Sequence, residues 1–131
     1  MKRIYLDACI LIYLIEKHRD YYPKIKAMLD SLPEYQLAVS PLLRMEVLVK
    51  PSRDQDTLLK QQYEDFLEQQ IWLSIPEVVY EQALQLRVVH RLKTPDALHL
   101  AIARHHGCTD FWTNDDRLKT AAGDLAVNVL G

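Results

Sequence analysis

Short apolar runs alternate with longer helical stretches along the whole chain, and this alternation limits the possible folds more than any other feature. Residues 3–6 predict a short buried strand, and residues 8–17 directly after them are apolar and long enough for a helix. The order then repeats, with predicted strands at 3–6, 36–39, 71–75, 111–113 and 126–130 and predicted helices at 8–17, 22–32, 41–49, 54–70, 76–92, 94–103 and 115–122. Strands that alternate with helices predict a parallel sheet between two helical layers.

The length of the chain predicts one domain. At 131 residues, a chain rarely divides into two separately packed cores, so we expect a single domain over residues 1–131. Hydrophobic residues make up 49% and charged residues 26%, which is typical of globular domains and excludes a disordered or fibrous chain. The net charge of −2 excludes a protein that binds nucleic acid through an overall basic surface.

Glycine and cysteine usage excludes several kinds of site. The three glycines, Gly107, Gly123 and Gly131, all lie in the last quarter of the chain, so no glycine-rich phosphate-binding loop is present. The two cysteines, Cys9 and Cys108, are too far apart for a Cys-x-x-Cys motif and too few for a disulfide scaffold. This cysteine usage favours a reduced, cytoplasmic compartment. No segment approaches the roughly 20 apolar residues of a membrane span, so we expect no membrane association.

Acidic residues stand near the predicted strand ends, where parallel sheets place their sites. Asp7 comes at the end of the first strand, and Asp115 follows the strand at 111–113. Asp96 lies in the first turn of its predicted helix, and Glu46 follows the second strand on the next helix. If both helix starts face the same edge of the sheet, the four carboxylates converge there.

Each of these acids also has a purely structural interpretation. Asp7 and Asp115 stand where they would cap the following helix, and Asp96 suits a helix N-terminus. Glu46 lies beyond the capping positions among apolar neighbours, so it either points to solvent, pairs with Lys50 at i+4, or serves chemistry. The residue pattern alone leaves these alternatives open.

A cluster of carboxylates favours a divalent cation, because like charges held together repel one another and destabilise the fold. Mg²⁺ and Mn²⁺ prefer oxygen ligands and are often held by a few carboxylates together with a substrate phosphate. Two such ions about 3.5–4 Å apart would stabilise the attacking water and the leaving oxygen in phosphodiester hydrolysis. The acids therefore predict a metal site, with one or two ions.

Four segments of the chain resemble, in order and spacing, the motifs of the PIN-domain family, and within it the VapC-type toxins of bacterial toxin–antitoxin pairs. They are IYLDAC at 4–9, SPLLRME at 40–46, PDALHLA at 95–101 and WTNDD at 112–116. The similarity covers essentially the whole chain. It implies a three-layer α/β/α sandwich with a central, mostly parallel sheet of about five strands, and the activity of an Mg²⁺- or Mn²⁺-dependent endoribonuclease.

The resemblance also implies roles for individual residues. The residues that match the catalytic, metal-coordinating acids of the family are Asp7, Glu46, Asp96 and Asp115, and the residues that match its supporting polar positions are Thr113 and Asn114. We expect Asp7 and Asp96 to hold the principal ion, and Glu46 and Asp115 to complete its shell directly or through water. Asp115 rather than Asp116 preserves the Thr-x-Asp spacing, so Asp116 is predicted to be a first-turn helix residue.

Basic residues flank two of the acids. Arg87, Arg91 and Lys93 precede the Asp96 helix, and Arg117 follows Asp115, so these four are possible contacts for RNA phosphates. A solvated helix face is the ordinary alternative for such charges.

The histidines do not match a zinc motif. His99 and His106 are seven residues apart on one predicted helix face, but no His-Glu-x-x-His pattern or cysteine partner accompanies them. We therefore predict packed or exposed histidines rather than ligands.

The resemblance implies an RNA substrate, a cognate antitoxin and a homodimer as partners. Apolar faces around Tyr13 and Tyr21 and around Tyr63 and Leu67 would serve either such interfaces or the core. Two other functions compete with the nuclease. One is a non-catalytic PIN-like module that binds RNA or protein. The other is a small phosphatase or phosphotransfer domain, which is disfavoured because the first strand is not followed by an Asp-x-Asp pair.

Overall fold

The computed structural model describes residues 1–130 and contains a sheet of five parallel strands. Gly131, the last residue of the predicted domain, lies outside the described residues. The strands are β1 (Lys2–Leu6), β2 (Tyr35–Val39), β3 (Ile71–Trp72), β4 (Asp110–Thr113) and β5 (Ala126–Asn128). Their order in the sheet is β3-β2-β1-β4-β5, with every neighbouring pair parallel, so the predicted sheet is confirmed.

Helices connect all successive strands of this sheet. They are α1 (Ala8–Ile15), α2 (Tyr22–Ser31), α3 (Pro41–Arg53), α4 (Thr57–Glu68), α5 (Glu77–His90), α6 (Thr94–His105) and α7 (Asp116–Ala122). A short 3₁₀ turn, Gly123–Leu125, leads into β5. Within residues 1–130, none of these helices has the length and apolar character needed to cross a membrane.

The helices cover both faces of the sheet, as the side chains of β1 show. Ile4 and Leu6 pack into an apolar cluster with residues of α1 to α4, whereas Tyr5 packs into a second cluster with α5, α6 and α7. All three side chains are fully buried. Because successive strand residues point to opposite faces, two separate cores flank the sheet. The predicted three-layer α/β/α sandwich is confirmed.

The strand order reverses next to β1. The chain passes from β1 to β2 on one side and later returns to β4 on the other side. The backbone N–H of Asp7 donates to the carbonyl of Trp112 at 2.9 Å, so the carboxyl ends of β1 and β4 lie side by side. Open parallel sheets form their binding crevices at such a reversal.

Two helix boundaries differ from the predictions. α3 continues to Arg53 instead of ending near residue 49, with the buried Pro51 inside its last turns. A proline there removes one backbone hydrogen bond, and burial of its ring in the core offsets part of that loss. α4 begins at Thr57 rather than at residue 54, because the Asp56 side chain accepts the backbone N–H of Leu59 at 3.0 Å and caps the helix.

β3 is shorter than predicted. The apolar run at 71–75 predicted a full strand, but only Ile71 and Trp72 pair with β2, followed by one further bond from the N–H of Leu73 to the carbonyl of Val39 at 2.8 Å. β3 lies at the edge of the sheet and has one neighbour only. A short edge strand also limits pairing with other chains.

Tyr63 and Leu67 of α4 belong to the core, whereas Leu58 at its start is exposed. Tyr63 and Leu67 are buried in the cluster that also contains Ile4 and Leu6, and the half-buried Tyr13 packs against the same cluster. The structure therefore favours core packing over an interface for this face of α4.

Candidate metal and active site

Asp7 lies where β1 passes directly into α1. Its Oδ1 accepts the backbone N–H of Ala8 at 2.7 Å, and its Oδ2 accepts the hydroxyl of Thr113 at 2.9 Å. The predicted capping role of Asp7 is thus present, and the same carboxylate also contacts β4. Both oxygens are held, so the carboxylate has a defined orientation at the strand-order reversal.

Thr113 links two of the predicted acids. Its side chain is buried at the end of β4, donates to Asp7, and accepts the backbone N–H of Asp115 at 3.1 Å. Asp115 is the N-cap of α7 and accepts the N–H of Arg117 at 2.9 Å. A single hydroxyl therefore sets the relative positions of Asp7 and Asp115.

Asn114 contacts α1 rather than the acids. Its Oδ1 accepts the thiol of Cys9 at 3.0 Å. Burial and the neighbouring charge of Asp7 raise the pKa of the Cys9 thiol to about 12, so this cysteine is not a nucleophile. Asn114 thus fixes the loop that precedes Asp115.

Asp96 lies in the first turn of α6 and is half-buried. Burial raises its pKa above the ordinary aspartate value, and the charges of Asp7 and Asp115 raise it further. The charge of Arg117 acts in the opposite direction. The charges of Asp7, Asp96 and Asp115 therefore influence one another, whereas the sequence predicted that all four acids converge.

Glu46 reaches the same region from α3. Its Oε1 is bonded to Nε2 of His99, which lies one turn beyond Asp96 on α6. Glu46 of α3 therefore pairs with a buried histidine of α6. Among the described residues, Glu46 forms no ion pair with Lys50. The fourth acid is connected to the Asp96 helix through His99.

Arg117 places a positively charged side chain next to Asp115. Its guanidinium donates to both oxygens of Asp115 at 2.7–3.2 Å. These bonds lower the pKa of the Asp115 carboxyl below its usual value. Arg117 is three-quarters exposed, so solvent screens this pair and leaves the side chain able to move.

The donor set fits a divalent cation in its chemistry but not in its present side-chain arrangement. Over residues 1–130, no three or more side chains of His, Cys, Asp or Glu are grouped closely enough to hold a metal ion. Asp115 is bonded to Arg117, and Glu46 is bonded to His99. The hard carboxylate oxygens and the repulsion at Asp96 suit Mg²⁺ or Mn²⁺, provided that Asp115 turns away from Arg117.

Three of the four predicted RNA contacts border a small cavity next to these acids. The cavity has a volume of about 140 Å³, and Arg91, Lys93 and Arg117 line it together with Asp96 and Asp115.

The fourth predicted contact, Arg87, is not part of this lining. Its Nε donates to the carbonyl of Leu92 at 3.0 Å and so stabilises the turn after α5.

The adjacent acid Asp116 has the role that the sequence predicted. It is exposed, forms the first residue of α7, and accepts the side-chain amide of Asn128 at 2.9 Å. It points to the neighbouring strand end and not to the other acids.

The family model of the PIN domain matches residues 4–124. The chain belongs to the PIN-domain family. The resemblance indicated by the four motifs is thus confirmed, and the match includes all four predicted acids.

Solved structures share the architecture of this PIN domain over almost its whole length. A toxin–antitoxin complex from Klebsiella pneumoniae has 26% sequence identity and a TM-score of 0.78, and the match covers 96% of this chain and 97% of that one. No curated protein sequence matches this chain.

Two more distant structures share the fold alone. One is the Mycobacterium tuberculosis toxin VapC20, described as cleaving the sarcin–ricin loop, with 19% identity, a TM-score of 0.73 and coverage of 92% of this chain and 95% of that one. The other is VapBC2 from Rickettsia felis bound to a fragment of its promoter DNA, with 17% identity, a TM-score of 0.74 and coverage of 96% and 98%.

Sequence reasoning missed the polar contacts beneath the site. His99, for which we predict packing or exposure, is buried. Ser40 caps α3, since its side chain accepts the N–H of Leu43 at 3.2 Å. What the sequence did not show is that Tyr5 joins these two side chains. Buried polar groups require hydrogen-bond partners, and this requirement is the one clue by which the sequence could have indicated these contacts.

Arg117→Ala is expected to raise the pKa of the Asp115 carboxyl, because it removes the guanidinium that holds this pKa low. The pKa of Asp96 should rise as well, since Arg117 opposes its repulsion by Asp7 and Asp115. A lowered carboxyl pKa stabilises the fold above the unfolded-state pKa, and this contribution is lost as the pH falls through the folded value. The variant should therefore lose less stability on acidification than the wild type.

NMR titration of the carboxyl carbons in the metal-free PIN domain measures this effect. Lys119→Ala, which removes another exposed cation of α7, is the matched control and should leave both pKa values unchanged. An unchanged pKa of Asp115 in Arg117→Ala would show that the ion pair does not form in solution.

Proposed function

We propose that this PIN domain is a metal-dependent endoribonuclease that hydrolyses RNA phosphodiester bonds, and that it acts as the VapC-type toxin of a toxin–antitoxin pair. The observation that carries the proposal is the placement of Asp7, Asp96 and Asp115 at the strand-order reversal. Thr113 bonds to both Asp7 and Asp115, and Asp96 and Asp115 line the same cavity. Burial and the charges of Asp7 and Asp115 raise the pKa of Asp96. Family membership and the toxin–antitoxin complexes among the similar structures support it. The expected product has a 5′-phosphate.

In this proposal Asp7 and Asp96 hold the principal Mg²⁺ or Mn²⁺, and Glu46 and Asp115 complete the shell directly or through water. The ion would supply charge stabilisation to the attacking water and to the leaving oxygen. Thr113 keeps Asp7 and Asp115 in register through its two hydrogen bonds. One of the four acids orients the water that attacks phosphorus.

RNA phosphates would approach over the basic rim of the acidic cavity. Arg91, Lys93 and Arg117 border this cavity, and exposed cations at such positions contact phosphate oxygens. We propose that Arg117 exchanges Asp115 for a substrate phosphate, which frees the Asp115 carboxylate at the same time. Arg87 contributes to the turn after α5 and is not proposed as a direct contact.

The proposed partners are an antitoxin and a second copy of the chain. The antitoxin is supported by the toxin–antitoxin complexes of similar fold. We place the protein in the cytoplasm, because Cys9 and Cys108 are both free within the described residues. Coexpression with the product of the adjacent reading frame, followed by light scattering, tests both partners.

The test is cleavage of a pool of structured RNAs by the purified protein with Mn²⁺, with Mn²⁺ plus excess chelator, and with Asp7→Asn. We expect defined RNA ends with Mn²⁺ only, and no cleavage by Asp7→Asn. Full cleavage in chelator, or by Asp7→Asn, would overturn the proposal. End sequencing after induction in cells would then identify the RNA target.

A non-catalytic PIN-like module that binds RNA or protein is the second candidate. The bonds of Asp115 to Arg117 and of Glu46 to His99 favour it, because side chains of the protein itself already bond to these two acids. Calorimetric binding of Mn²⁺ without cleavage of any RNA in the pool would select this alternative.

A further inference from the structure

Three polar side chains form a continuous buried chain beneath the acidic site. Ser40 Oγ lies 2.7 Å from the hydroxyl of Tyr5, and that hydroxyl lies 2.6 Å from Nδ1 of His99. Nε2 of His99 is bonded to Oε1 of Glu46. Ser40, Tyr5 and His99 are each at most 1% exposed, whereas the Glu46 side chain is 27% exposed. The chain therefore runs from the core to the rim of the site.

The donors and acceptors of this chain can be assigned in one consistent direction. The ionised carboxylate of Glu46 only accepts, so Nε2 of His99 carries a hydrogen. In a neutral imidazole Nδ1 then accepts, and the hydroxyl of Tyr5 donates to it. The Tyr5 oxygen accepts from Ser40, whose own oxygen accepts the backbone N–H of Leu43 at 3.2 Å. Every donor is directed towards Glu46, starting from the first turn of α3.

The surroundings make this arrangement costly unless each group is paired. Tyr5 lies in an apolar cluster with Ala97, Leu100, Ala101 and Phe111, and burial raises the pKa of its hydroxyl, which stays protonated. A buried polar group without a partner costs free energy, and an apolar side chain would avoid that cost. The presence of Ser40, Tyr5 and His99 in this apolar region is explained if their hydrogen bonds orient the exposed carboxylate of Glu46.

We propose that Ser40, Tyr5 and His99 are positioning residues that hold the Glu46 carboxylate towards the Asp96 helix with Oε2 available to a divalent cation. The inference rests on the proposed metal-dependent function and names the residues that preorganise its fourth acid. His99 is bonded through Oε1 only, so the second carboxylate oxygen is not consumed by the contact. Partners behind a metal ligand fix its orientation, and their removal typically weakens metal affinity about 10–100-fold.

Tyr5→Phe is the decisive variant, because it removes one hydroxyl and keeps the ring that stacks on Phe111. Tyr63→Phe is its matched control. Tyr63 is equally buried, and its hydroxyl donates to Oε2 of Glu16 at 2.6 Å, remote from the acids of the site. Both variants thus lose a buried hydroxyl; Tyr5→Phe loses its two hydrogen bonds to Ser40 and His99, and Tyr63→Phe loses one to Glu16. Thermal unfolding of each variant verifies that it folds.

The first measurement is the ¹⁵N NMR spectrum of the His99 ring in the metal-free protein, which requires no activity. The wild type should show the neutral tautomer with hydrogen on Nε2, and Tyr5→Phe should change this signal. A hydrogen on Nδ1 only, or a doubly protonated ring, in the wild type would overturn the directed chain.

The second measurement is the Mn²⁺ dissociation constant in the absence of RNA. Tyr5→Phe should weaken binding at least about 10-fold, whereas Tyr63→Phe should stay within about 2-fold of the wild type. The kcat for RNA cleavage should fall in Tyr5→Phe with little change in KM, because the RNA-facing cations are untouched. Unchanged Mn²⁺ affinity in a folded Tyr5→Phe would overturn the positioning role.

His99 itself gives a second pair of variants. His99→Gln keeps an N–H donor for Glu46, whereas His99→Leu keeps the volume without any donor. Mn²⁺ affinity should be higher in His99→Gln than in His99→Leu, and equal affinities would contradict the proposal. A wild type that binds no Mn²⁺ would overturn both the positioning role and the metal-dependent function. If the wild type binds Mn²⁺ and cleaves RNA, and the Tyr5 and His99 variants do so equally well, the positioning role alone is overturned.

Discussion

Asp96→Asn is expected to lower Mn²⁺-dependent RNA cleavage at least ~100-fold, since losing a few kcal/mol of transition-state stabilisation changes a rate by two or more orders of magnitude. The same variant should make the metal-free protein more stable. The ionised Asp96 is partly buried and repelled by Asp7 and Asp115, and an amide of the same shape removes that repulsion. Single stabilising substitutions commonly gain about 0.5–2 kcal/mol, and lost function is their recurrent cost at active sites.

The pH dependence of this stabilisation has a definite sign. The folded-state pKa of Asp96 is raised above its ordinary value, so the folded protein binds a proton more tightly than the unfolded chain does. The cost of ionising Asp96 therefore appears as the pH rises from the unfolded pKa through the folded pKa, and it is complete above the latter. The stability difference between Asp96→Asn and the wild type should be largest at neutral pH and should vanish below the unfolded-state pKa.

Asp116→Asn is the matched control for Asp96→Asn. Asp116 is also an acid in the first turn of a helix, but it is exposed and bonded to Asn128. Its variant should retain cleavage within about 3-fold, which corresponds to less than 1 kcal/mol in the barrier. Chemical denaturation with chelator present, combined with initial cleavage rates, measures both effects. An Asp96→Asn protein that cleaves RNA normally would exclude Asp96 from the site.

Mn²⁺ is expected to raise the unfolding temperature of the wild type by several degrees. A ligand that binds only the folded state adds about 2.7 kcal/mol of stability at 100 times its dissociation constant. For Asp7→Asn and Asp96→Asn the shift should be small or absent, because each variant loses one of the two proposed principal ligands. The increase in the unfolding temperature of the wild type should grow with Mn²⁺ concentration and disappear when a chelator is added.

A surface acid provides the control for this experiment. Asp54→Asn removes an exposed carboxylate at the end of α3, and its Mn²⁺-induced shift should equal that of the wild type. Scanning calorimetry with and without Mn²⁺ is the measurement. A shift that persists in Asp7→Asn and Asp96→Asn would mean that the cation binds elsewhere on the chain.

The meeting of Asp7 and Asp115 was predictable from the order of elements. Each follows a strand directly, and parallel strands end at the same edge of a sheet. Asp96 was expected there only if the start of its helix faces this edge, and the packing of α6 next to β4 is known from the structure alone. The boundaries of α3 and β3 were less predictable, because Pro51 and the edge position of β3 act through packing and pairing.

The amino-acid sequence by itself determined the alternating strands and helices, the caps at Ser40, Asp7 and Asp115, and the acids that stand at strand ends. These features depend on residues close together in the chain, through periodicity and local hydrogen bonds.

Only the tertiary structure decided the partners of the acids, including Glu46 with His99, 53 residues apart, and Tyr5 with His99, 94 residues apart. Such pairs form because the sheet order packs distant segments around the same buried space, where each polar group must find a partner that no local pattern specifies.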